Sequence, residues 1–290
     1  MAPASPESPG AAASAEAPPG SRDSPDAVLL FEVDQGLAVL TLNRPDKGNS
    51  LTPELLLALE EAWHRVDSDC SIRAAIITGA GERHFCTGAA VGDLEMGKGG
   101  LQNQPYAAAN RFSPRMCQVS KPVICVVNGL TNGGGLHFVA DSDIVVACER
   151  ADLMDTHVSV GQVSALESAG LVRRAGVGAA LLLALCGRGY RMPAKRAYDL
   201  GIFDVLEPTA ADAMTRAREL AAAICANSPQ ALALSKRAIW AATEFTDPAA
   251  AVHGWELLKS QWAHPDFAEG PKAFAEKRAP NWNPDPNARR

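Results

Sequence analysis

NGLTNGGGLHFVADSD, residues 128–143, follows the apolar run VICVV at 123–127 and leads into DIVVAC at 143–148. A buried strand, a glycine loop, a helix to about Ala140 and a second strand are therefore expected in quick succession. Gly133, Gly134 and Gly135 open the helix, where glycine lets main chain approach a bound group and the first N–H groups have no intrahelical partner. Such donors at the positive end of a helix favour developing negative charge, so the motif is an oxyanion-binding device. An anion hole alone only polarises a carbonyl. The side chain beside it decides the reaction, and here that position holds His137.

The chain upstream repeats the theme. VLLFEVDQGLAVLTL, residues 28–42, is two β-rich runs around Asp34, Gln35 and Gly36, a hairpin signal. A loop with Arg44, Pro45 and Lys47 leads to Thr52 and Pro53, which start a helix running to about Val66. AAIITG, residues 74–79, is a buried strand that delivers the chain to a second glycine-bearing loop, HFCTGAAVGDL at 84–94. A helical segment is expected around residues 106–119. Strands alternating with helices imply parallel pairing with right-handed crossovers, so the fold class is α/β. Beyond Pro208 the pattern is helical: amphipathic runs at 210–227, 230–244 and 248–262 precede a last helix in EGPKAFAEKR.

Composition narrows the function. The 290 residues carry 47% hydrophobic content, enough for a substantial core, and a formal charge of −6 with no basic stripe, which argues against a nucleic-acid partner. The longest apolar runs, such as residues 177–186, fall short of the ~20 residues that span a bilayer, so no membrane association is expected. Seven dispersed cysteines, mostly in apolar runs and without CxxC pairing, read as reduced core thiols of a cytoplasmic protein. Residues 1–25, rich in Ala, Pro, Ser and Gly, are expected to be a disordered tail with neither transit-peptide nor secretory character. Residues 26–207 then form the core, and 208–290 a helical region.

Five segments in register carry a family resemblance: LNRPDKGNSLTPELL, HFCTGAAVGDL, KPVICVVNGLTNGGGLHFVADSDIVVA, LCGRGYRMPAKRAYDLGIFDVL and AFAEKRAPNW. From about Val28 to Trp282 the chain resembles the crotonase, or enoyl-CoA hydratase and isomerase, superfamily. The resemblance implies a spiral of ββα turns followed by a C-terminal helical region, assembled as a homotrimer or a dimer of trimers. It also implies an acyl-CoA thioester substrate whose carbonyl oxygen sits between the backbone N–H groups of Ala89 and Gly134. Each such donor is typically worth a few kcal/mol of barrier. No redox cofactor or metal is implied, since coenzyme A is part of the substrate.

The departures are as informative. Hydratases similar to this chain carry a glutamate just after the triple glycine and another about twenty residues later, one activating water and one protonating Cα. Here those positions hold His137 and His157. Histidine has accessible neutral and charged forms near pH 7, so the pair is chemically competent. Two nearby imidazoles resist being charged together, and a helix start disfavours imidazolium, so His137 is expected to be the neutral base or donor and His157 the acid. Asp155, two residues before His157, and Glu167, where relatives commonly have glycine, are each placed to orient an imidazole or act as a base. His137, His157 and Glu167 would also satisfy a two-histidine, one-carboxylate metal rule, but their spacing is not diagnostic and no metal is expected.

For coenzyme A, the resemblance implies that main chain around Asp46, Lys47 and Asn49 meets the nucleotide, and that Lys277 or Arg278 reaches the 3′-phosphate. His64 and His84 are expected on the surface or in loops, His253 and His264 in the C-terminal helices, and Trp255 and Trp262 in packing between those helices. The activity expected is hydration of a 2-enoyl-CoA. Its rivals are a catalytically silent acyl-CoA-binding protein and another enolate reaction: double-bond shift, carbon–carbon cleavage or thioester hydrolysis.

Overall fold

The structure is a computed structural model that describes residues 26–90, 111–286 and 288. The expected tail at 1–25 lies outside the described residues. The chain begins with strands β1 (Leu29–Asp34) and β2 (Leu37–Leu42), paired antiparallel from Leu29 opposite Leu42 to Asp34 opposite Leu37. Gln35 at φ 47° and Gly36 at φ 82° turn the corner in left-handed conformations, the geometry that matches strand twist.

Helix α1 (Pro53–Ser68) starts as its sequence dictates: the Thr52 side chain accepts the Leu55 N–H at 3.3 Å, and Pro53 fills the first helical position. It buries Leu55, Leu59, Ala62, Trp63 and Val66 as one stripe. Trp63 Nε1 donates to the Phe112 carbonyl at 2.8 Å and pins the segment that follows the second glycine loop. Of the helix expected over 106–119, residues 106–110 lie outside the described residues, and 111–118 run as turns. Pro114 supplies no N–H for a helix, which accounts for the difference.

Two sheets arise because each turn of the spiral contributes a strand to both. Strands β3 (Ala74–Gly79), β5 (Val123–Val127), β7 (Ile144–Cys148) and β9 (Val205–Glu207) extend the hairpin into a six-stranded sheet ordered β1-β2-β3-β5-β7-β9, parallel from β2 onward. Strands β4 (His84–Cys86), β6 (Leu130–Asn132) and β8 (Leu153–Met154) make a small parallel sheet beside it. These strands of two or three residues are too short to show periodicity. One consequence corrects the sequence reading: β6 intervenes between β5 and the glycines, and Gly133–Gly135 form a 3-10 turn before helix α2 (Leu136–Asp141).

Helix α3 (Leu166–Cys186) packs on α2 and β8, and α4 (Ala194–Asp199) leads into β9. Helix α5 (Ala210–Cys225) covers the middle of the large sheet with Ala213, Ala217 and Ala221, whose small side chains allow close approach. The chain closes with α6 (Pro229–Ala241), α7 (Asp247–Gln261) and α8 (Asp266–Glu276). His264 is buried between α7 and α8, where its Nδ1 accepts the Asp266 N–H at 3.2 Å.

Three surface features differ from expectation. Leu166–Gly189 is, by length and composition, long and apolar enough to cross a bilayer, beyond what the shorter apolar runs suggest. Gly176, at φ 77° and ψ 170°, breaks it into halves of about 15 Å, half the ~30 Å that a hydrocarbon core requires. Trp255 and Trp262 are 52% and 42% exposed and meet each other edge to face at 5.7 Å instead of filling the space between helices. All seven cysteines are free, yet Cys70 and Cys186 are exposed, not core thiols.

Candidate active site

The two glycine loops meet at the edge of the small sheet. Leu51 N–H donates to the Gly88 carbonyl at 2.8 Å, Ala90 N–H to the Leu51 carbonyl at 3.0 Å, and Thr87 N–H to the Gly48 carbonyl at 3.0 Å, which fixes the first loop. Asn132 Nδ2 ties the second loop to it by donating to the Thr87 carbonyl at 3.2 Å. Gly88 has φ 83°, and a Cβ there would lie 2.8 Å from the Asn132 carbonyl oxygen and 2.9 Å from Gly134 N. A Cβ on Gly134 would in turn lie 3.8 Å from Ala89 N. The main-chain nitrogens of Ala89 and Gly134 are thus brought together across a gap that only glycine permits. Gly134 N–H belongs to the first turn, where a helix leaves its donors unpaired.

His137 lies in α2, one turn after Gly134, and is 3% exposed. Its Nδ1 lies 3.5 Å from Oδ2 of Asp141, one helical turn on, and its Nε2 lies 3.5 Å from Oε1 of Glu167. Phe112 meets its ring edge-on at 5.2 Å. Asp141 is held in turn by the Ser113 hydroxyl at 2.6 Å and faces the Arg173 guanidinium at 3.6 Å.

His157 follows β8 and caps a 3-10 turn, Val158–Val160; its own carbonyl accepts both Val160 N–H and Gln162 N–H. Its ring stands against the triple glycine, since a Cβ on Gly133 would meet His157 Cε1 at 3.4 Å. Nδ1 of His157 lies 2.7 Å from Oδ1 of Asp155, and Nε2 lies 3.8 Å from Oε1 of Glu167. Asp155 is fully buried, and its second oxygen accepts the Ser164 hydroxyl. Glu167, in the first turn of α3, therefore stands between the two imidazoles.

These contacts set proton affinities. The hydrogen bond to Asp155 holds His157 above the ordinary imidazole range; burial opposes this, and the negative charges of Glu167 and Asp155 reinforce it. For Asp155 burial is the largest influence and acts upward, but the hydrogen bonds from the His157 ring, Ser164 and the His157 N–H together outweigh it and leave the carboxyl below its usual range. An imidazole whose proton affinity is raised by a carboxylate can hold and deliver a proton, while the neighbouring main-chain donors can take up negative charge.

The structure thus gathers Ala89, Gly134, His137, His157 and Glu167 into one site and adds Asp141, Ser113 and Arg173, which the sequence reading missed. One signal was available: His137 and Asp141 are spaced i, i+4 and so share a helix face. The residues expected to meet the nucleotide are separate from this cluster. Asp46 and Lys47 lie in the 3-10 turn Pro45–Lys47, beside the first loop. Asn49 spends its side chain and its N–H inside the protein. Its N–H donates to the Arg44 carbonyl, its Nδ2 reaches the Ala80 and His84 carbonyls at 3.0 Å each, and its Oδ1 accepts the Arg44 N–H at 2.9 Å. Arg278 is likewise engaged, by Glu269 and Glu276, whereas Lys277 caps α8 at φ 52° with its side chain exposed. His84 is half-buried in β4, not in a loop.

This architecture and site define a crotonase-type α/β enzyme. Residues 32–285 match the family model described as enoyl-CoA hydratase/isomerase. The chain is 33% identical over 261 residues to (E)-benzylidenesuccinyl-CoA hydratase of Thauera aromatica, covering 87% of this chain and 97% of that protein. It is 32% identical to 1,2-epoxyphenylacetyl-CoA isomerase of Escherichia coli, covering 88% and 97%. The crystal structure of an enoyl-CoA hydratase/isomerase from Mycobacterium paratuberculosis superposes with a TM-score of 0.80 at 34% identity, covering 89% of this chain and 99% of that one. The protein belongs to the enoyl-CoA hydratase/isomerase family and is an enzyme of that type.

Proposed function

We propose that the protein hydrates a 2-enoyl-CoA thioester through an imidazole pair. In this reading the N–H groups of Ala89 and Gly134 hold the thioester oxygen, and the enolate-like charge that develops there is stabilised by a few kcal/mol per donor. Neutral His137 takes a proton from the water that adds to Cβ, and the His157 imidazolium gives its proton to Cα. The observation that carries the reading is the placement of the His157 ring against the glycine turn, with a carboxylate behind its Nδ1 that raises its affinity for the proton.

Main chain at Asp46, Lys47 and Asn49 and the side chain of Lys277 are assigned to the nucleotide part of coenzyme A, with no further cofactor. A cytoplasmic homotrimer or dimer of trimers is the proposed assembly, supported by the exposed apolar residues Leu181 and Leu185 of α3 and Phe274 of α8. Sedimentation equilibrium tests it, and a monomer at micromolar concentration would sink it.

The chemical test uses oxygen-18 water with a series of 2-enoyl-CoA thioesters. Label at Cβ, lost with His137→Ala and with His157→Ala, is the expected result. Turnover unaffected by either substitution would exclude the imidazole pair. A second reading, double-bond isomerisation, draws on the named isomerase among the relatives and predicts solvent hydrogen exchange without oxygen incorporation. Binding of acyl-CoA with no turnover of any thioester would mark a silent binding protein.

A further inference from the structure

Hydration leaves the imidazole pair in the wrong protonation state. Each turnover loads a proton on His137 and removes one from His157, and both must be reset before the next. Asp155 occupies Nδ1 of His157 and Asp141 faces Nδ1 of His137, so each ring has Nε2 as its exchanging nitrogen. Both Nε2 atoms approach the same atom, Oε1 of Glu167, at 3.5 Å and 3.8 Å.

We propose that Glu167 is the proton carrier that returns the proton from His137 to His157, an assignment that rests on the hydration reading above. The two distances exceed the ~3 Å of an N–H···O hydrogen bond, so Oε1 stands between the rings and bonds to one at a time by closing about 0.5–0.8 Å. In the first step the His137 Nε2–H bond breaks and an O–H bond forms on Oε1, leaving a neutral imidazole and a carboxylic acid. In the second step that O–H bond breaks and an N–H bond forms at His157 Nε2, leaving an imidazolium and a carboxylate. One proton moves, charge is conserved and no co-reactant is required. The carrier is 12% exposed, which limits exchange of this proton with solvent. The buried carboxylates Asp141 and Asp155 stand on the far side of each ring, and Arg173 faces Asp141 at 3.6 Å.

Glu167→Gln keeps the shape of the side chain and cannot carry a proton. Rapid mixing with the 2-enoyl-CoA that the unaltered enzyme turns over fastest separates the first turnover from later ones. The expected result is one product per site formed within about threefold of the normal rate, then a steady state slowed at least tenfold. Glu167→Ala tests the same point, with added formate expected to restore the steady state in a concentration-dependent way. Titration with coenzyme A verifies that each variant is folded. An unchanged steady state in both variants overturns the proposal, as does a first turnover slowed as much as the later ones, which would place Glu167 in the chemical step itself. Failure of the hydration reading is seen separately, as the absence of oxygen label at Cβ in the unaltered enzyme.

Discussion

Oδ1 of Asp155 holds His157 at both ends, with ring Nδ1 at 2.7 Å and the main-chain N–H at 3.1 Å. The carboxylate can only accept, so Nδ1 carries hydrogen and Nε2 is the nitrogen that gains and loses the proton. His137 is held less tightly, since Asp141 stands 3.5 Å from its Nδ1 and shares that oxygen with the Ser113 hydroxyl. The two imidazoles are therefore held unequally, and the inequality is built by the carboxylates of Asp155 and Asp141.

Asp155→Asn should lower the upper pH limit of activity, because the hydrogen bond that raises His157 is its largest influence and is weakened by the amide. The stability effect has a definite sign. The raised imidazole contributes stability that is fully present below about pH 6.5 and lost as pH rises through its folded value. The lowered Asp155 contributes above about pH 3.8 and is lost as pH falls through its folded value. The unaltered enzyme should thus exceed Asp155→Asn most between those limits, by roughly 2–3 kcal/mol, less than a fully buried pair because the ring keeps some exposure. Urea melts at pH 5, 7 and 9 check this, and a gap that widens at pH 9 would contradict it.

Much of this site is legible before folding. The two glycine loops, the imidazoles His137 and His157 and the carboxylates Asp155 and Glu167 stand out by residue type, and the long strands and α1 by pattern and cap. What is hidden has physical causes. Strands β4, β6 and β8 are too short for alternation, yet they bring the loops of Ala89 and Gly134 side by side. Ser113 reaches Asp141 across 28 residues of chain, held by its neighbour Phe112, whose carbonyl accepts the Trp63 Nε1–H. Asn49 carries a motif assignment, but its burial and three side-chain hydrogen bonds make it a brace for the loop.

Gly88→Ala should break the junction of the two glycine loops. Its Cβ would press on two backbone atoms under 3.0 Å away, and φ 83° is strained for any L side chain. Displacing Gly134 N from Ala89 N is expected to lower kcat by roughly 100- to 1000-fold, the scale of losing one oxyanion donor. Steady-state kinetics with a 2-enoyl-CoA measures this, and activity within threefold of normal would show that the two nitrogens do not act together.

Asn49→Ala should destabilise the fold by roughly 3 kcal/mol, since the Ala80 and His84 carbonyls and the Arg44 N–H each lose a buried partner. The residue sits at φ 51°, which asparagine tolerates and alanine resists, so Asn49→Gly should be less damaging by about 1 kcal/mol. Thermal or urea unfolding distinguishes the two. Equal stability of all three forms would show that these hydrogen bonds do not brace the loop.

Lys277 and Arg278 should separate cleanly in coenzyme A binding. Arg278 already bonds Glu269 and Glu276, and the reciprocal contact holds Glu269 well down, at about 2. Lys277 is exposed at the end of α8 and acts as a point charge toward phosphate. Lys277→Gln should raise the Kd for coenzyme A about three- to tenfold at low salt, with the difference shrinking as ionic strength rises and the Debye length falls below ~10 Å. Dephospho-coenzyme A, which lacks the 3′-phosphate, should bind the unaltered enzyme and Lys277→Gln equally. Calorimetric titration of both ligands decides the matter: a loss of the same size for each would move the Lys277 contact away from the 3′-phosphate.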